Sequence, residues 1–192
     1  NRRISLLERQ RQKEIERAVI EMLEDYDLAK YPISVGAVAE ALKVRVVPYS
    51  TLDSHTQNMA FSVSNDAFTI ADAEYSLTTL AVNDVSGSNY NRTRFSGAHE
   101  LAHIFLGHNE KSPCREEEAD YFAGYLLAPH PLILTLPKDA AVAERFGISG
   151  QCASFAIDQA NRRCKESSFW EPHEQWLVNN AVWRGGGLIG RA

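Results

Sequence analysis

The sequence predicts an α+β fold in which helices dominate a small sheet. Three observations lead there. Apolar residues recur at helical spacing over most of the chain. The β-branched runs are few and short, and lie between Val44 and Asn83. One stretch, Arg94 to Pro129, reads as two consecutive helices carrying a dense set of histidines and carboxylates.

The chain has 192 residues and is 44% hydrophobic, enough to bury one core. Three parts are expected: an N-terminal helix over 1–31, a main domain over 32–136, and a helical hairpin with a flexible tail over 137–192. Twenty basic and 25 acidic residues give a net charge of −5, which does not suggest a general nucleic-acid binder. No apolar run reaches the roughly 18 residues of a membrane span, and no apolar leader is present, so a cytoplasmic protein without membrane contact is expected. Cys114, Cys152 and Cys164 are too few and too irregularly spaced for a disulfide framework, and reduced thiols are expected.

Taken in order, Arg2 to Tyr31 reads as one long helix, with Ile4, Leu7, Ile15, Val19 and Tyr26 at helical spacing and Pro32 as its stop. Its basic first half reads as a solvated face. Ser34 caps a short helix that runs to Leu42. Val44–Tyr49, Met59–Val63 and Thr78–Asn83 read as strands of a small antiparallel or mixed sheet, the last two joined by a polar loop. From Val46 to Asn91 there is no Lys or Arg, yet Asp53, Asp66, Asp72, Glu74 and Asp84 are present. If this sheet walls a cleft, the wall is acidic and attracts basic segments. Ser86 to Asn91 is a polar loop leading into the next helix.

That helix contains His99, Glu100 and His103 in the pattern H-E-x-x-H. Histidines four apart project from one helix face and can grip one metal ion. Glu100 stands beside the open position, where it can take a proton from a bound water. The neighbours Leu101, Ala102, Ile104 and Phe105 make the helix apolar, a poor setting for bare imidazoles. Gly107 ends it as a C-cap. A sheet ahead of such a helix is the layout of a zincin-like fold, whose edge strand receives a substrate by strand addition.

A catalytic site needs a third protein ligand and one open position. The pattern with a third histidine six residues on fails, because Asn109 stands there. Glu116, Glu117 and Glu118 on the following helix remain. Glu116 shares a face with Ala119, Asp120, Ala123 and Leu127, small enough for close helix approach. Asp120 on that face can hold the second nitrogen of a ligand histidine. Glu118 is the alternative third ligand.

The run R-F-S-G-A-H-E-L-A-H-I-F-L-G-H, followed by E-E-E-A-D-Y-F-A-G-Y-L-L-A-P, resembles the ImmA/IrrE family of metallopeptidases. The match is specific from Arg92 to Pro129, looser from Pro32 to Val85 and after Pro137, and absent from the first thirty residues. The resemblance implies zinc held by His99, His103 and Glu116, with Glu100 as base; manganese or another divalent ion suits the same donors. It also implies a protein substrate, a basic helix-turn-helix repressor cut to relieve repression of phage, mobile-element or stress genes.

After Pro129, Ala140–Phe146, the turn Gly147-Ile148-Ser149 and Gly150–Arg163 read as a helix-turn-helix-like hairpin. Packing against the main domain is the simpler expectation; direct DNA contact through 140–163 would use Gln151, Gln159, Arg162 and Arg163. The oxyanion donor of a peptidase is sought among Tyr90, Tyr125, His130 and His173. The competing reading is a DNA- or repressor-binding regulator with a structural or vestigial zinc, its fourth position closed by Cys114 or His108.

Overall fold

The computed structural model describes residues 7–72, 77–85, 89–110 and 112–184. The elements, in order, are α1 (Arg9–Asp25), β1 (Lys30–Tyr31), α2 (Val35–Ala41), β2 (Arg45–Pro48), α3 (Ser54–Val63), β3 (Ala67–Asp72), β4 (Leu77–Val82), α4 (Tyr90–Phe105), α5 (Pro113–Leu127), α6 (His130–Leu134), α7 (Val142–Phe146), α8 (Gly150–Glu166), α9 (Pro172–Asn180) and β5 (Val182–Trp183). Helices surround one mixed three-stranded sheet of order β2-β4-β3, the α+β, zincin-like arrangement that the sequence predicts. β2 runs parallel to β4 and β3 antiparallel to it, with Val46 opposite Leu80 and Thr69 opposite Leu80 on its other side. A second, two-residue pairing joins β1 to β5 in parallel, with Lys30 opposite Val182 and Tyr31 opposite Trp183.

Two elements differ from the sequence reading. Met59–Val63 is helix, not strand. Asp53 caps α3 by accepting from the His55 and Thr56 N–H groups at 3.0 and 3.1 Å. Ala60 is buried in a small cluster with Tyr49 and Ala81, against which Phe61 packs, while Met59 and Val63 are 57% and 64% exposed. The strand forms later, from Ala67–Asp72, in the stretch read as a polar loop. There Thr69 and Ile70 pair with β4, and β-branched residues fit such a half-exposed edge.

The N-terminal helix also stops early, at Asp25 rather than Tyr31. Asp27 adopts φ 52°, its N–H donates to Glu24 O, and the Leu28 N–H reaches Leu23 O at 2.9 Å. That is a Schellman ending, and an aspartate holds the left-handed position that glycine usually takes. Arg2, Arg3 and Ile4 of the expected helix lie outside the described residues, as do Glu74 and Gly185 to Gly190.

A single buried cluster runs from Ile15, Val19 and Leu23 of α1 through Leu101 of α4 and Phe122 of α5 to Leu177 of α9. α4 and α5 form its centre. They meet through Ala98 and Ala102 on one side and Ala119 and Ala123 on the other, all fully buried. Small side chains there let the backbones come close, which sets His99 and His103 against Glu116 and Asp120. Buried Arg94 ties α4 to the α7–α8 turn by donating to the carbonyls of Phe146 and Gly147, and to Ile33 O at 2.7 Å.

The α7–α8 segment turns at left-handed Gly147, and Ser149 caps α8. Arg163, named above as a DNA contact, is turned inward. It is 5% exposed, holds both oxygens of Glu174 at 2.7 and 2.5 Å, and donates to Ser167 O and Phe169 O. With His130, this arginine holds the Glu174 carboxyl down to about 2 in spite of burial, which works in the opposite direction.

Candidate metal centre

His99 and His103 lie one turn apart on α4, and their Nε2 atoms are 3.0 Å apart. Glu116, in the first turn of α5, faces both. Its Oε2 is 3.2 Å from His99 Nε2 and its Oε1 is 3.6 Å from His103 Nε2. These three ligand atoms fall within 4.8 Å of one another, and among the described residues no other trio of His, Cys, Asp or Glu does so. Two imidazole nitrogens and one carboxylate oxygen suit zinc with a position left for water. A further observation fits a cation: the Glu116 side chain is 43% exposed, yet its Oε1 is buried and has no hydrogen-bond partner. A buried carboxylate oxygen without a partner calls for a positive neighbour.

The second nitrogens are occupied too. His99 Nδ1 is 2.8 Å from Asp120 Oδ1. His103 Nδ1 is 2.9 Å from His108 Nδ1, and His108 Nε2 is 3.0 Å from Glu118 Oε2. Both nitrogens of His108 are thereby engaged away from the three-atom cluster. Glu118, two residues after Glu116 and so on a different face of α5, takes two hydrogen bonds from Arg11 of α1. Cys114 is exposed and belongs to no ligand group among the described residues.

The two histidines differ electrically. Burial lowers the pKa of His99, but its bond to Asp120 and the charges of Asp120, Glu100 and Glu116 outweigh that and raise it. His103 is lowered, first by burial and then by the neighbouring His99. The neutral form is thus favoured at His103 and the protonated form at His99.

Glu100 sits beside the cluster and points at the sheet. Its Oε2 accepts from the Thr69 N–H at 3.1 Å and from Thr69 Oγ1 at 2.7 Å. β3 is an edge strand, and this N–H points to the open edge instead of to β4. Thr69 escaped the sequence reading because its strand was read as loop. Sequence spacing offers His108 only as a closing ligand, since it does not show where a C-cap turn sends the next side chain.

The other named residues sit elsewhere. Tyr90 is exposed at the start of α4, nine residues and so roughly 13 Å of helix from His99. Tyr125 is the same distance along α5 from Glu116, fully buried, with its ring 4.9 Å from that of buried His130. His130 Nε2 lies 3.8 Å from Glu16 Oε2 and 3.4 Å from Glu174 Oε1 in the interior between helices. His173 is half-buried on α9 near Arg17, its pKa lowered chiefly by burial. The acidic stretch is also largely committed. Asp53 caps α3, Asp84 accepts from Ser50 N and Oγ, and Asp66 pairs with Arg92 at 2.8 Å. The Asp72 side chain and Glu74 lie outside the described residues.

A helix presenting H-E-x-x-H beneath a mixed sheet, with carboxylates from the next helix closing on it, is the architecture of a metallopeptidase domain. A family model described as the IrrE N-terminal-like domain, Peptidase M78, matches residues 54–158, and the chain belongs to that family. The match opens at α3 and closes within α8, so it contains both helices of the cluster. Comparisons with curated proteins and with solved structures give no match. Membership brings a metallopeptidase role, a divalent metal and a protein substrate. Among the described residues no helix is long and apolar enough to cross a membrane.

Proposed function

We propose that this chain is a zinc endopeptidase in which His99, His103 and Glu116 hold the metal and Glu100 is the general base. The observation carrying the reading is the convergence of those three ligand atoms within 4.8 Å, one of them a buried carboxylate oxygen without a hydrogen-bond partner. A bound zinc supplies Lewis acidity toward the scissile carbonyl and lowers the pKa of its water. With the metal held there, Glu100 would serve as the group that takes a proton from the attacking water and delivers it to the leaving amine. Thr69 holds the Glu100 carboxylate by two hydrogen bonds, and a substrate strand laid on the open edge of β3 would pass next to it. Asp120 keeps the proton of His99 on Nδ1, leaving Nε2 free for the metal. We also propose that the substrate is a helix-turn-helix repressor, as the family resemblance implies, and that the protein works in the cytoplasm, where its three free cysteines stay reduced.

A regulator with a closed structural zinc fits less well. The closing ligand it needs is not supplied by His108, whose two nitrogens bond His103 and Glu118. Direct DNA contact through 140–163 would have to proceed without Arg163, which is buried on Glu174.

Co-expression with a helix-turn-helix regulator encoded beside the gene, followed by mass spectrometry, tests the substrate: one cut in the regulator is expected, and an intact regulator removes this substrate class. Thr69→Val tests the cradle of the base. It deletes the hydroxyl bond and keeps the backbone one, so kcat falls about tenfold, the worth of one hydrogen bond to a charged group. Metal content stays the same. A kcat equal to wild type would remove Thr69 from the machinery.

A further inference from the structure

We propose that the N-terminal helix is part of the metal centre: Arg11 of α1, acting through Glu118 and His108, positions His103 as a ligand. The inference rests on reading His99, His103 and Glu116 as the ligand set.

The local cause lies in how α4 ends. Gly107 is left-handed at φ 67°. The Gly107 N–H donates to Ile104 O at 3.2 Å and the His108 N–H to His103 O at 2.9 Å. This is the Schellman pattern, which folds the residue after the glycine back onto the third-last helical residue. Two apolar side chains usually meet there. Here they are His108 and His103, and their Nδ1 atoms are 2.9 Å apart. The contact continues from His108 Nε2 to Glu118 Oε2 at 3.0 Å. Arg11 then donates from Nε and Nη2 to the two Glu118 oxygens at 2.9 and 2.8 Å, a two-pronged grip.

Only one placement of protons suits the whole chain. A metal-facing Nε2 on His103 leaves the proton on Nδ1, which donates to His108 Nδ1. His108 must then carry its own proton on Nε2, which donates to Glu118. Glu118 accepts at that end, from His108 at Oε2 and from Arg11 at both oxygens. Arg11 therefore fixes the position of the Glu118 carboxylate, Glu118 the tautomer of His108, and His108 the tautomer and orientation of His103. His99 reaches a carboxylate in one step, His103 in two. α1 is also fastened further along, where Tyr121 of α5 donates to Glu16 Oε1 at 2.5 Å. Arg11 and all of α1 lie outside the residues matched to the family. The helix that would support the metal centre in this way thus lies outside residues 54–158.

The test measures zinc affinity of the full chain by competition with a chromophoric chelator, alongside the melting temperature of the metal-free protein. Arg11→Ala should weaken zinc binding about tenfold, and Glu118→Gln by about 10–100-fold, the usual cost of losing a partner behind a ligand. Because the links act in series, Arg11→Ala should add little once His108→Ala is present. Arg9→Ala is the control. Arg9 lies on the same helix but grips Glu166 and Glu16, so its loss should lower the melting temperature and leave zinc affinity alone. Zinc affinity within twofold of wild type in Arg11→Ala overturns the positioning role, as do effects of Arg11→Ala and His108→Ala that multiply. If His103→Ala binds zinc as tightly as wild type, the ligand reading fails first and the proposal falls with it.

Discussion

Glu100→Gln is expected to lose peptide cleavage by about 10³-fold or more while retaining one metal per chain. General-base catalysis contributes about 10²–10⁴-fold. The amide cannot take up the proton, but it keeps the length and one acceptor oxygen of the carboxylate. The bonds from Thr69 N–H and Oγ1 at 3.1 and 2.7 Å therefore survive, and so should the sheet–helix contact they make. The measurement is kcat on a cleaved repressor together with metal content and melting temperature. Activity within about tenfold of wild type would assign the base elsewhere. Loss of metal along with activity would make Glu100 a ligand instead.

His103→Ala and Glu116→Ala should each lower zinc affinity by about 10²–10³-fold. One ligand of three is worth roughly 3–4 kcal/mol when the whole binding free energy is on the order of 10 kcal/mol. Glu116→Ala should cost the fold little, since its side chain is 43% exposed and its Oε1 has no hydrogen-bond partner to lose. It should therefore separate metal loss from unfolding more cleanly than His103→Ala, which also strands His108. Glu118→Ala is the comparison, because Glu118 stands behind His108 and not among the three converging atoms. A larger loss of zinc in Glu118→Ala than in Glu116→Ala would reverse the assignment of the third ligand.

The sequence by itself determined the parts that depend on helical period. Histidines four apart and alanines at matched spacing on two successive helices specify which faces meet. The pairing of α4 with α5 and the family resemblance followed from that stretch. Local capping was legible where the residue type is typical, as at Ser34 and Gly107. It failed where an unusual residue took the role: Asp27 holds the left-handed position that glycine usually takes, so the end of α1 at Asp25 was not legible.

The sheet was decided by tertiary structure. Met59–Val63 and Ala67–Asp72 have similar β-branched and aromatic content. What separates them is the Asp53 cap on one and the pairing partner β4 on the other, and that partner is remote in sequence. Likewise nothing in the spacing could show that Thr69 would meet Glu100, or that Arg11 would reach Glu118 across 107 positions of chain. Spacing within a helix is fixed by 3.6 residues per turn, so sequence suffices there. Contacts between elements depend on which faces the core buries, and only the packed chain settles that.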